Sequence, residues 1–234
     1  TIGTYFVGLS VIAGVALAFG FILFYKSVES QQISNITVLA LLQPLILVTY
    51  SLLFLNESIT LIQIIGGAII LVGITLDTTT REIKFNKFLI PAILGEISWA
   101  IFWIILSKVI LITGNLATPL LISRAAAAVT AIFAYLLLFN RSKSKTVQKT
   151  SRGKFSIPIL IIFALFAGVF DGVGNIAFGI TTSLNQLVLV SIFNAFLPLL
   201  VILAAYVIYK ERLTYLQKIG IAIATVGAVI ITVI

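Results

Sequence analysis

Three ionisable side chains lie inside long apolar runs of this 234-residue chain: Glu96 in ILGEISWAIFW, Arg124 in LLISRAAAAV and Asp171 in AGVFDGVGNIAF. A charge in such a run costs about 3 kcal/mol or more unless it meets a partner or a wet cavity, so it marks an ion pair, a proton relay or a solute path. Glu96, Trp99 and Trp103 are spaced three and four apart and share one helix face. A carboxylate beside two indoles suits an aromatic or cationic solute through stacking and cation–π contact; the same face also suits packing against a neighbouring helix. Asp171 and Asn175 share another face, on a run with Gly168, Gly172, Gly174 and Gly179 that lets backbones approach closely. Asn175 and Asn194 are hydrogen-bonding candidates at similar depth. The chain has no Cys, His or Met, which excludes disulfides, thiol chemistry and zinc or haem sites built on the usual soft ligands. Neither an enzymatic activity nor a cofactor nor a metal site is expected.

The elements that must position these residues follow from composition. The chain is 61% hydrophobic and 9% charged, against about 25% charged in soluble domains, so its solvent is a lipid bilayer. Eight continuous apolar segments are long enough to cross it as helices: 5–25, 33–54, 59–76, 88–111, 118–139, 157–180, 187–208 and 216–233. With alternating directions, Arg124 lies roughly 9 Å and Asp171 roughly 13 Å from the same end of their spans, at 1.5 Å per residue. The two are expected to pair, either as a structural tie or as part of a substrate path. Glu96 is offset from Arg124 by on the order of 10 Å along the normal and is left without a cation. It is a candidate proton carrier, or a protonated acid hydrogen-bonded to a neighbour.

The net charge of +8 is unevenly placed. Twelve of the fifteen cations, from Lys26 to Arg212, fall on the side reached after the odd-numbered spans. That side is expected to be cytoplasmic in a multi-pass protein of the cell membrane. The basic loop 140–156 reads as a solvated stretch touching anionic lipid headgroups rather than nucleic acid.

Residues 12–74 recur without a gap at 166–228, an offset of 154 (211 − 57). Glu57, Thr60, Gln63, Gly66 and Gly73 match Glu211, Thr214, Gln217, Gly220 and Gly227; Gly14, Gly20, Phe24 and Pro44 match Gly168, Gly174, Phe178 and Pro198. Pro44 and Pro198, each about eleven residues into a span, are candidate hinges because proline kinks a helix interior. The glycines seven apart in the last span of each copy are expected to form packing seams. Two spans precede the matching part of the second copy and have no counterpart in the first. The expected whole is therefore an inverted five-plus-five helical bundle of about 300 residues, of which three plus five spans are present here. A mid-depth cavity is expected to lie open on the side where the two unmatched helices would stand.

The fourth-span Pro, the acidic turn residue followed by Leu or Ile and Thr, the Gln three residues after that Thr, and the Gly-rich last span resemble the EamA-type repeat of the drug/metabolite transporter superfamily. The chain departs from the usual Gly-Glu at that turn, with Asn56-Glu57 and Lys210-Glu211. The resemblance covers nearly the whole chain, as one repeat at 1–79 and a second at 85–234. It implies an all-α, ten-helix carrier that moves a small metabolite such as an amino acid or organic cation; the inverted repeat adds alternating access, and Glu96 makes protons the candidate coupling ion. No phosphate-binding loop is present: GVGNIAFG lacks the Lys-Ser/Thr ending. A passive channel or a non-transporting membrane assembly subunit is the rival reading.

Overall fold

The computed structural model describes residues 3–28, 38–78, 89–142, 157–197, 200 and 214–232. They form α1 (Thr4–Val28), a 3-10 turn (Val38–Leu41), α2 (Leu42–Phe54), α3 (Leu61–Thr78), α4 (Leu89–Thr113), α5 (Ala117–Ser142), α6 (Ile157–Ser183), α7 (Leu187–Asn194) and α8 (Tyr215–Thr232). Thr4–Ser27, Leu89–Thr113, Ala117–Leu137 and Ile161–Ser183 are each long and apolar enough to cross a membrane; Leu39–Phe54, Leu61–Leu76 and Lys218–Ile231 are shorter apolar helices. The all-α membrane fold expected from the sequence is the fold observed.

Turn chemistry sets where the helices stop. Asn56, Gly114 and Asn185 hold φ of 53°, 62° and 57°, the left-handed geometry that ends helices and that Gly and Asn accept most readily. The Gly114 N–H donates to Ile110 O at 2.9 Å, closing the last turn of α4. At the start of α3, the Thr60 N–H donates to Gln63 Oε1 at 2.9 Å and the Gln63 N–H to Thr60 Oγ1 at 3.2 Å. This reciprocal capping box explains the Thr and Gln of the repeated motif.

α1 packs antiparallel along α4 and also against α5. Ser98 Oγ donates to Ala16 O at 2.7 Å, and Gly14 and Gly20 leave no room for a Cβ against Ser123 of α5 and Trp99 of α4. The end of α1 and the starts of α4 and α6 therefore share one side of the bundle, the Lys26 side. The other major contact is between α3 and α8. A Cβ at Gly227 would stand 2.8 Å from Gly66 O, and one at Gly73 2.5 Å from Gly220 O. Residue numbers rise along one helix as they fall along the other, so these two helices cross antiparallel. Gly66 corresponds to Gly220 and Gly73 to Gly227, so the seam is reciprocal, as a two-fold relation requires. Ala13, Leu17, Leu47, Phe102 and Trp103 belong to one apolar cluster; Ile70, Ile74, Ala224 and Ile231 belong to a second.

Candidate functional site

Arg124 and Asp171 meet: Arg124 Nη1 lies 2.7 Å from Asp171 Oδ2. The backbones of α5 and α6 do not pack along one another, so the long guanidinium arm spans the space between them. Asn175, one turn on, donates from Nδ2 to Asp171 O at 2.6 Å and to Asp171 Oδ1 at 3.1 Å. The Asp171 carboxylate is thus held from two directions. Arg124 Nη2 is buried without a hydrogen-bond partner. The site consequently combines a positioned carboxylate with a pair of guanidinium N–H donors that no other side chain among the described residues uses. Among the described residues no group of three metal-ligating side chains forms.

α6 is unevenly covered. Every residue from 161 to 171 is exposed, whereas Asn175, Phe178, Gly179 and Thr182 form one buried stripe in the remaining half. Gly168 and Gly174 have nothing within 4 Å of an added Cβ, although their counterparts Gly14 and Gly20 are tightly filled. The pair itself is partly accessible, 28% for the Arg124 side chain and 44% for that of Asp171.

The other expected site residues fall elsewhere. Glu96 is 2% exposed on α4, and among the described residues no ion pair or hydrogen bond reaches its carboxyl group. It lies seven residues before Trp103, as Asp171 lies seven before Phe178, and Trp103 stacks on Phe178 with ring centroids 3.6 Å apart and an interplanar angle of 22°. Since α4 and α6 both start on the Lys26 side, Glu96 and Asp171 stand at comparable depth, closer than counting from span ends suggests. Trp99 fits over Gly20 between Phe21 and Phe24, with centroids at 5.2 and 5.4 Å, and its Nε1 is buried without a partner. Asn194 is the last residue of α7, partly buried, and among the described residues no hydrogen bond joins it to the pair.

Pro44 occupies the first turn of α2, directly after the 3-10 turn, and Leu41 before that helix is itself in a helical conformation. Its position is a change of helix type rather than a kink deep in an α-helix. Pro198, the basic stretch 143–156 and Lys210-Glu211 lie outside the described residues.

One residue with a larger role than its motif suggested is Glu57. From the α2–α3 turn, its carboxylate accepts the N–H groups of Leu187 at 3.0 Å and Val188 at 2.8 Å, capping α7. Beside it lies a cavity of about 210 Å³ lined by Ser58, Thr60, Gln63, Asn185 and Gln186 among others, on the side opposite Lys26. The repetition of Glu57 as Glu211 was the available signal; the partner was not.

Comparison with known proteins agrees with the architecture. A solved crystal structure matches 97% of this chain and 88% of its own length, with a TM-score of 0.60 and 16% identity, a likeness of fold. No curated protein matches. The description of the EamA-like transporter family matches residues 3–79 and 86–233, nearly the full length of an all-helical, membrane-embedded chain; the protein belongs to that family of membrane transporters.

Proposed function

We propose that this chain is a secondary carrier that moves a small polar or amphipathic metabolite by alternating access, with Arg124, Asp171 and Asn175 on the solute path and Glu96 carrying a coupling proton. One observation carries the reading. At the 154-residue offset, Asp171, Asn175 and Phe178 correspond to Leu17, Phe21 and Phe24, and Leu17 sits in the apolar core with Phe21 packed against it. The same helix face can therefore be built from apolar side chains, so folding alone does not call for the charge in the second copy.

A solute bearing both charges suits this site best, because its ammonium can face the partly exposed Asp171 carboxylate while its carboxylate pairs with Arg124 once that side chain turns its buried Nη2 outward, stranding no charge in a low-dielectric setting. The uncovered Gly168 and Gly174 extend the reading to a helical pair of the α4–α5 kind seated on α6, by analogy with Gly14 and Gly20. The Lys26 side faces the cytoplasm on this reading. In proteoliposomes, a labelled solute from a panel of amino acids, sugars and organic cations should show counterflow that Asp171→Asn abolishes. Flux that rises linearly with concentration and lacks counterflow would make the protein a passive channel, and absence of any flux would favour an assembly subunit.

A further inference from the structure

The helices next to the charged pair divide into two mechanical units that do not coincide with the two sequence repeats. α1 of the first repeat is fastened to α4 and α5 of the second by Ser98 on Ala16 O and by close backbone approaches at Gly14, Gly20 and Gly95. Trp99 belongs to this unit, clasped by Phe21 and Phe24. α6 instead leans on the unit near its far end, through the Trp103–Phe178 stack and through Gly179 under Leu116 and Ile110. Toward the Lys26 side it is exposed from residue 161 to 171, where the Arg124–Asp171 bridge reaches across to α5.

Phe178 and Phe24 are repeat counterparts, and each meets an indole of α4. The two contacts differ in kind. Trp99–Phe24 lies within the fastened unit; Trp103–Phe178 joins that unit to α6, face to face, with both rings less than 10% exposed. Phe178 stands seven residues, roughly 10 Å, beyond Asp171 toward the side opposite Lys26. A stack at that place separates the charged pair from that side.

We propose that the Trp103–Phe178 stack is the gate that closes the solute path on the side opposite Lys26, opening when α6 swings away from the α1–α4–α5 unit, while Trp99–Phe24 stays shut as a fixed clasp. The proposal rests on the carrier reading for its purpose, and its test needs no substrate. The chain has no native Cys, so a single Gly172→Cys reports access to the site; a Cβ there meets nothing within 4 Å. An impermeant thiol reagent applied from the side opposite Lys26 should label it slowly with Phe178 present. Phe178→Ala should speed labelling on the order of tenfold, the equivalent of losing one aromatic pair, with Phe178→Leu in between because it fills the space without stacking. Phe24→Leu should leave that rate unchanged.

Unaltered labelling in Phe178→Leu protein that elutes as a single species would overturn the gate, as would equal acceleration by Phe24→Leu. Accelerated labelling in a protein that shows no counterflow would keep the gate and sink the carrier. Counterflow together with unaltered labelling would do the reverse.

Discussion

The carboxylate of Glu57 accepts the backbone N–H of Val188 at 2.8 Å, so a turn in the first repeat caps a helix in the second. Leu187, the other capped residue, packs in the cluster around α1 and α4, and Val188 packs in the cluster around α3 and α8. The cap thus sits where the two apolar clusters join. Glu57→Ala would leave two buried N–H groups without an acceptor, at a cost of about 2 kcal/mol. The apparent Tm in detergent should fall in the order wild type, Glu57→Gln, Glu57→Ala, and equal values for all three would mean that the contact contributes nothing.

Removing one member of the Arg124–Asp171 pair strands the other. Arg124→Ala should destabilise by roughly 1–3 kcal/mol, below the range for fully buried pairs because both side chains are partly exposed. The double variant Arg124→Leu with Asp171→Leu should regain much of that loss, since no charge is left unpaired. Folded yield and apparent Tm measure the recovery, and strictly additive losses would show that the two do not interact. Transport should stay absent in the double variant if the charges serve the solute.

The glycine seam between α3 and α8 admits no side chain. Gly73→Val would drive its side chain into Gly220 O and Ala224, an overpacking cost of about 3 kcal/mol. Gly220→Val, its reciprocal partner, should behave alike. Normal folded yield from either variant would mean the helices are further apart than described.

Glu96 is nearly fully buried and has no cation among the described residues. Glu96→Gln preserves shape and removes titration. If Glu96 carries the coupling proton, the variant should retain exchange between labelled and unlabelled solute and lose accumulation driven by a pH gradient. Parental accumulation in that variant would assign Glu96 to structure.

Much of this architecture is legible without coordinates, because apolar runs of bilayer length admit little except helices and because an ionisable residue inside one stands out by its cost. The pairing of Arg124 with Asp171 follows from depth alone, and the glycine seams follow from two small residues repeated seven apart. Residue types and spacing do not say which helix approaches which. Glu57 is visible as a repeated acid, but its partner is 130 residues away. Phe178 is one of seventeen phenylalanines, and Trp103 becomes a stacking partner only because the far end of α6 leans on α4. Pro44 stands where the helix changes type because the α-helix starts at Leu42, after a 3-10 turn. Composition and periodicity determine which segments must leave water; the contacts that decide a cap, a gate or a hinge arise where segments distant in the chain compete for the same space, and only the folded arrangement resolves that competition.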